Sequence, residues 1–215
     1  SCMSRILSNQ LNKHIGEEVV ILGRLYALRK LGGVNFVVIQ DRAGLTQAVF
    51  DSDIEAKVSS IISVTGTVKE EKRASGGAEL VGKSIEVIQA PAEYLPFDLS
   101  KRELKVELPT LLDYRPLTLR HESVRSIFRI YDTVISAYEE AMRDMGFVGI
   151  KTPKILGAAS EGGANFFTID YFGTQAFLAQ SPQFYKQFGV GVFERVFEVG
   201  PVFRAERHFT TRHVN

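Results

Sequence analysis

The sequence predicts an α+β fold in which a small β-barrel precedes a mixed helix-and-sheet domain. Three patterns support this prediction. Residues 18–90 contain five short β-rich runs that are separated by turn residues. Residues 90–110 hold three of the seven prolines, which indicates a linker. Residues 121–146 show the period of a long amphipathic helix.

The first two β-rich runs form a predicted hairpin. They are EVVILGRLYALRK (18–30) and VNFVVIQD (34–41), and both are rich in β-branched and aliphatic residues. Gly32-Gly33 lies between them and favours a tight turn. A second turn, DRAG, leads into the third run, LTQAVF (45–50), in which apolar and polar residues alternate.

Two further β-rich runs complete the first block. Residues 51–58 are polar and compatible with a short helix, whereas residues 60–71 and 78–90 are predicted strands. Five strands with a helical link between the third and the fourth are the layout of the OB-fold, a small Greek-key barrel that often binds single-stranded nucleic acid. On the strand pattern alone, another small barrel or a sandwich fits equally well. We expect this domain to span residues 1–90 and a linker or hinge to span residues 91–120.

The second block, residues 121–215, opens with the predicted helix. Its apolar residues recur every three or four positions and form one stripe, and Gly146 ends the pattern. The stripe consists of Val124, Ile127, Phe128, Tyr131, Val134, Ile135, Tyr138, Met142 and Met145. Because a stripe of this length must be covered, we expect it to pack against the rest of its own domain or against a second subunit.

Shorter elements follow this helix. We expect a strand at 147–155 that Pro153 ends, and a hairpin at 164–180 with its turn at 171–174. A short helix is expected at 181–190, with Pro182 in its first turn, and a strand at 195–206.

Composition and charge exclude several classes of function. The formal net charge is +1 and neither half is strongly basic, so nucleic-acid binding has to depend on local patches and base stacking. The single cysteine, Cys2, allows no intrachain disulfide, which indicates a reducing compartment. The sequence has no apolar run of 18 residues and no signal-peptide pattern, so we expect a cytoplasmic protein.

Four segments of the second block resemble, in order, the class II aminoacyl-tRNA synthetases. The helix–strand–proline unit at 121–153 resembles their motif 1, and FRAERHFTTRH (203–213) resembles their motif 2. Between them, ASEGGANFF (159–167) and QSPQFYKQ (180–187) are similar to the amino-acid pocket of aspartyl-tRNA synthetases. An OB-fold before such a domain is the layout of the aspartyl, asparaginyl and lysyl subgroup. The resemblance covers nearly the whole chain, and FRAE with TTRH is similar to the archaeal and eukaryotic type of the aspartyl branch.

The resemblance implies an aspartate–tRNA ligase, which activates aspartate with ATP and Mg²⁺ and transfers it to the 3′ end of tRNA. Activation brings two anions together, and a fixed guanidinium offers donors to both. Arg204 corresponds to the catalytic, ATP-binding Arg of motif 2, and we expect it on a strand. Glu206, on the same strand face, is implied to accept a hydrogen bond from the adenine amino group. Arg207 and His213 are implied to lie near the ATP phosphates.

The resemblance also implies an aspartate pocket. Glu161 would accept from the substrate ammonium group, and Lys186 would contact the substrate carboxylate. Gln183 precedes Lys186 by three residues and shares its helix face, while Gln180 and Ser181 would supply neutral polar groups. Asparaginyl relatives usually depart from the Q-S-P-Q-x-x-K pattern, but asparaginyl-tRNA synthetase stays the near alternative.

On the barrel, RKLGGVNF and GLTQ resemble the anticodon-reading surface of the same family. Phe36 would stack on the central anticodon base, Gln47 would bond a neighbouring base edge, and Arg29 would contact a base or a phosphate. One stacked base contributes about 1–3 kcal/mol, so an exposed Phe can support binding without a basic surface. Without the resemblance, Phe36 would be assigned to the core and Gln47 to a solvated strand.

Two further expectations concern assembly and completeness. The family forms homodimers, and the resemblance places the motif 1 helix and Pro153 at the two-fold interface. Motif 3, G-x-G-x-x-R, does not occur in the sequence, and no metal ligand is assigned within it. We therefore expect part of a longer enzyme, inactive alone, with Mg²⁺ ligands beyond residue 215. The alternative from a different class is a non-catalytic module that binds tRNA or a protein partner.

Overall fold

A computed structural model describes residues 5–158 and 165–205 of the chain. The chain divides into two compact units, residues 1–126 and residues 127–215. The first unit contains the barrel and the segment that follows it, and the second contains most of the long helix and several short strands.

The first unit is a closed five-stranded barrel, as predicted. Around the barrel the strand order is 1-2-3-5-4, and every pair is antiparallel except the third and fifth strands, which run parallel. This is an OB-fold barrel, and its strands lie close to the five predicted ranges. They are β1 (Glu18–Leu31), β2 (Val34–Gln40), β3 (Leu45–Phe50), β4 (Ile61–Glu70) and β5 (Ala78–Gln89).

The barrel core is formed by alternating strand residues that point inward. Each such side chain contributes about 1.5–3 kcal/mol when it leaves water. A 3₁₀ helix, Ser8–Lys13, adds Leu11 to the same core, and the sequence pattern did not indicate this helix. The residues with no exposed surface include Ile21, Leu25, Val37, Ile39, Ile62, Val64 and Leu80.

The helix predicted at 51–58 is absent, so this prediction was wrong. The segment has neither helix nor strand in the structure, and Ile54 is buried in the barrel core. Burying this one side chain takes precedence over the weak helical preference of a short polar run.

A β-bulge in β1 decides which of its residues face outward. The register shifts between Leu25 and Ala27, so Tyr26 is an extra residue. Arg24 lies opposite Gln40 and Arg29 lies opposite Phe36, positions separated by four residues on β2. Because side chains alternate along a strand, the bulge brings Arg24 and Arg29 to the same outer face of the barrel.

The segment after the barrel is irregular but anchored. Residues 91–107 form no helix or strand, and Leu99 packs against Tyr26 and Ala27 on the barrel. Two short helices that the sequence did not predict follow, α1 (Leu108–Asp113) and α2 (Arg115–Thr118). The buried ring of His121 ties this region together, since Nε2 lies 2.8 Å from the Lys101 oxygen and Nδ1 lies 2.7 Å from Ser123 Oγ.

The predicted long helix is present as α3 (Glu122–Asp144), but its apolar stripe is not covered. No described residue of α3 is buried, and Ile127, Tyr131 and Val134 are each more than 60% exposed. The described part of its own unit therefore leaves most of the stripe open.

Short strands and one more helix complete the second unit. The predicted hairpin is confirmed, and the predicted short helix begins after Pro182 and is longer than expected. These strands form two sheets: β6 pairs with β10 in parallel, and β7, β9 and β8 form a separate antiparallel sheet in that order. These elements are β6 (Val148–Gly149), β7 (Ile155–Leu156), β8 (Thr168–Tyr171), β9 (Thr174–Leu178), α4 (Gln183–Phe193) and β10 (Val196–Phe197).

The two longer strands predicted in this unit were wrong in extent. Residues 147–155 contain only β6 and the first residue of β7, and the strand predicted at 195–206 is reduced to β10. Residues 198–205 form single backbone bonds, such as Phe203 N to Ala179 O at 2.9 Å, rather than a continuous ladder. Arg204 therefore lies in a segment without regular secondary structure and not on a strand. Within the described ranges, each helix is too short or too polar to cross a lipid bilayer.

Candidate functional site

The outer face of β2 and β3 carries two of the residues predicted to read RNA bases. In the register of these strands Gln47 pairs with Val38, two residues from Phe36, and both side chains are half-buried. They line a cavity of about 390 Å³ together with Arg73 and Glu79. A half-exposed ring beside a polar amide is an arrangement that suits an unstacked base.

Glu79 fixes the orientation of Gln47. The amide Nε2 of Gln47 donates to Glu79 Oε2 at 2.9 Å, and Lys69 Nζ lies 3.5 Å from the other carboxylate oxygen. A carboxylate only accepts, so the amide nitrogen must face it and the amide oxygen is left to accept from a ligand. Sequence reasoning missed Glu79, because its position beside Gln47 depends on the parallel pairing of Ala48 with Leu80.

Arg29 completes the predicted barrel set. It is exposed on β1, opposite Phe36, so the structure brings Arg29, Phe36 and Gln47 to one face. Its charge acts on Asp98 of the anchored segment. Hydrogen bonds from Ser100 hold the pKa of Asp98 below its usual value, and the charges of Lys101 and Arg29 add to this effect.

In the second unit, Gln180 is buried beside the irregular segment that carries Arg204. Its Nε2 donates to the Asn165 oxygen at 2.6 Å, while its Oε1 has no partner among the described residues. The Ala205 amide also donates to the Asn165 oxygen, at 3.3 Å. Gln180 and the amide of Ala205, the residue after Arg204, therefore meet at one carbonyl group, and the Arg204 side chain is exposed.

Lys186 is half-buried on α4 and lines a cavity of about 280 Å³ with Lys154 and Glu198. Lys154 Nζ lies 2.8 Å from a Glu198 oxygen, and the Thr152 amide and hydroxyl donate to the same carboxylate. Burial opposes ionisation of Glu198, but these hydrogen bonds hold its pKa below the usual range. Glu198 is thus committed to Lys154 and Thr152, which leaves the Lys186 ammonium to attract a ligand carboxylate.

The described members of the predicted aspartate set do not share one cavity. Ser181 lines a separate cavity of about 270 Å³, and Pro182 is the one described residue that lines both cavities. Gln183 is exposed at the start of α4.

Four predicted residues lie outside the described ranges: Glu161, Glu206, Arg207 and His213. Within the described ranges, no group of three His, Cys, Asp or Glu side chains is placed to hold a metal ion.

The family comparisons agree with this layout. Residues 107–215 match the family described as tRNA synthetases class II (D, K and N), and residues 19–88 match the OB-fold nucleic acid binding domain. Aspartate–tRNA(Asp/Asn) ligase of Deinococcus radiodurans is 45% identical over 215 residues, which is 100% of this chain and 49% of the relative. The chain therefore spans about half the length of the curated relatives it matches.

Solved structures give the same result. The asparaginyl-tRNA synthetase of Pyrococcus horikoshii complexed with asparaginyl-adenylate superposes with a TM-score of 0.82 at 32% identity. That match covers 94% of this chain and 48% of the other. The aspartyl-tRNA synthetase of Entamoeba histolytica gives a TM-score of 0.74 at 28% identity and covers 99% and 48% of the two chains. The family match covers just more than half of the residues of this chain and follows a matched OB-fold domain. The chain therefore belongs to the class II tRNA synthetases of the D, K and N group.

Proposed function

We propose that this chain is part of an aspartate–tRNA ligase, which uses ATP to activate aspartate and transfers it to the 3′ end of tRNA. The observation that carries the proposal is the 45% identity to an aspartate–tRNA(Asp/Asn) ligase over every residue of the chain. A ligase of this kind supplies charged tRNA to protein synthesis, so a cytoplasmic location is part of the proposal.

Lys186 is the residue that we assign to the substrate carboxylate. Lys186 is half-buried and lines a cavity in whose described lining the one acidic residue, Glu198, already bonds to Lys154 and Thr152. A cation in such a place attracts a carboxylate more strongly than a fully solvated cation does. Gln180, with a buried oxygen that has no partner in the described residues, would accept from a donor of the substrate or of the surrounding pocket.

Arg204 is assigned to the phosphate of ATP. ATP supplies the phosphoryl centre that the aspartate carboxylate attacks. The planar guanidinium has a fork of donors that matches phosphate oxygens, and Arg204 is exposed and accessible to such a ligand. Glu161, Glu206, Arg207 and His213 keep the roles that the family resemblance implies. The described residues offer no ligand set for Mg²⁺, so we derive no step from the metal.

The barrel is assigned to the anticodon. Phe36 provides the stacking surface, Gln47 presents its oxygen to a base donor, and Arg29 supplies a positive charge on the same face. A Gln oxygen that can only accept favours a base edge that carries an N–H donor.

A homodimer is the proposed assembly. The open apolar stripe of α3 fits a second copy of the chain, because stripes of this size are covered in stable proteins. Pro153 lines an apolar cavity of about 270 Å³ with exposed Phe184 and Phe188, and we place it at the same interface.

The second candidate is an asparaginyl-tRNA synthetase, which the TM-score of 0.82 to that enzyme of Pyrococcus horikoshii favours. ATP–pyrophosphate exchange by the full-length protein separates the two, and exchange with asparagine alone would contradict the aspartate proposal. A non-catalytic module is the third candidate. The intact mass of the native protein tests it, since the ligase requires about twice the mass of this chain, in keeping with the 49% coverage of its relative.

A further inference from the structure

Two arginines of the first unit converge on one turn. Arg24 Nη1 donates to the Ser59 backbone oxygen at 3.1 Å, and Arg120 Nη1 donates to Ser59 Oγ at 3.1 Å. Ser59 is buried and has a φ of 79°, a left-handed conformation that is uncommon for a residue with a side chain. Such conformations persist where the surroundings fix them, and they cluster at binding sites.

In the part of the chain that the structure describes, these two charges have no acidic partner. Within residues 5–158 and 165–205, neither guanidinium forms an ion pair with a carboxylate. Burial lowers the pKa of both side chains, and the charge of Arg24 lowers the pKa of Arg120 further. Two like charges that are partly removed from water are unfavourable until an anion joins them. Each guanidinium has five N–H donors, and its bond to Ser59 occupies one of the five.

The two arginines line a cavity of about 400 Å³ that Tyr94 and Tyr114 also border. A third positive charge is near, since Lys57 Nζ lies 4.7 Å from the centroid of the Tyr94 ring. Glu93 is the one acidic residue in the described lining, and it is exposed, so water screens it. Paired guanidinium forks with few competing acids are the donor set that a phosphate group requires.

The cavity is within reach of an RNA on the barrel. The bulge at Tyr26 places Arg24 on the same outer face as Arg29, which lies opposite Phe36. Arg24 and Arg29 are five positions apart along β1, a distance of about 16 Å. We propose that the Arg24–Arg120 cavity binds a backbone phosphate of the RNA whose bases contact Phe36 and Gln47. This inference rests on the proposed RNA binding by the barrel.

Salt dependence of RNA binding tests the proposal. Arg24→Gln and Arg120→Gln in the full-length protein should each weaken binding on the order of tenfold, for RNA with cognate and with altered anticodons alike. The slope of log affinity against log salt should become shallower by about 0.7–0.9 for each phosphate that the variant no longer neutralises. The control is Lys83→Gln, which removes a barrel charge paired with Glu18 at 2.8 Å and should leave the slope almost unchanged.

Three outcomes would overturn the proposal or separate its parts. Folded Gln variants with unchanged affinity and slope would overturn it. Inorganic phosphate that raises the melting temperature of the wild type alone, with RNA affinity equal in all variants, would assign the cavity to a free phosphate instead. Absence of RNA binding by the wild type would refute the proposed function, which is a distinguishable failure.

A measurement on the wild-type protein tests the proposal even if the variants do not fold. An arginine-selective reagent such as phenylglyoxal is applied to the wild-type protein with and without bound tRNA, and the modified peptides are identified by mass spectrometry. Arg24 and Arg120 should be modified in the free protein and protected in the complex. Equal modification in both samples would contradict the proposal.

Discussion

At the scale of single residues, the barrel face depends on a stacking ring and an amide of fixed orientation. Phe36→Ala should weaken tRNA binding, because about 1–3 kcal/mol of base stacking is removed while the residues of the barrel core stay in place. Equilibrium titration of labelled tRNA measures the change. The matched control is Phe172→Ala, which removes a ring that is 92% exposed in the second unit and should leave the affinity unaltered.

Glu79 acts through Gln47, so its effect should be on discrimination between bases. Glu79→Gln replaces a carboxylate that can only accept with an amide that can accept or donate, so the Gln47 amide is no longer held in one orientation and can present either its donor or its acceptor side to a base. We expect the affinity ratio between the cognate anticodon and one altered base to fall by about tenfold, in line with about 1–3 kcal/mol for a good base contact. A ratio that survives in Glu79→Gln but disappears in Gln47→Ala would show that Glu79 does not orient the amide.

At the scale of elements, a buried carboxylate joins the 3₁₀ helix to the turn after β2. Asp41 accepts from the amide and the hydroxyl of Ser8, both at 2.7 Å, and from the amides of Ala43 and Gly44. Burial opposes its ionisation, yet these bonds hold the pKa of Asp41 below its usual value of 3.8. The ionised carboxylate therefore stabilises the fold.

The pH dependence of this contact follows from the sign of the pKa shift. A depressed pKa in the folded state stabilises the protein above the unfolded pKa, and this stability is lost as the pH falls through the folded value. Asp41→Asn should lower the free energy of unfolding by about 1–3 kcal/mol at pH 7. Urea unfolding should show that the difference in free energy of unfolding between Asp41→Asn and the wild type becomes smaller below about pH 4. A gap that stays constant to pH 3 would contradict the assignment.

The helix α3 carries the prediction about assembly. Val134→Glu places a charge in the middle of the open apolar stripe and should convert a dimer into a monomer, because a buried unpaired charge is costly. Ser136→Glu adds the same charge off the stripe and should leave the dimer intact. Sedimentation velocity on the full-length protein distinguishes the two states, and a Val134→Glu variant that remains dimeric would place the interface elsewhere.

Element-level features that depend on local alternation could be predicted from the sequence. Val37 and Ile39 alternate with Phe36 and Val38, and the structure buries the first pair and half-exposes the second. The bulge at Tyr26 could not be predicted, because its neighbours on both sides are apolar and hide the change of register. The contact between Gln47 and Glu79 depends on pairing across 32 residues, for which no local pattern exists.

At the scale of the whole molecule, RNA recognition and amino-acid recognition are assigned to different compact units. Phe36 and Gln47 belong to residues 1–126, whereas Lys186 and Arg204 belong to residues 127–215. The order of these units could be predicted from strand and helix periodicity together with the family motifs. The sequence did not predict that Ser181 and Lys186 line different cavities. Residue spacing indicates which residues share a face, but it does not determine the cavity that each residue lines.

The central claim is that Lys186 selects a substrate with a carboxylate side chain. Aspartate-dependent and asparagine-dependent ATP–pyrophosphate exchange of the full-length wild type and of Lys186→Gln tests it most directly. We expect the wild type to prefer aspartate, and Lys186→Gln to lose roughly 100-fold in kcat/KM for aspartate while its tRNA affinity is unchanged. A wild type that prefers asparagine, or a variant that keeps the aspartate preference, would contradict the account.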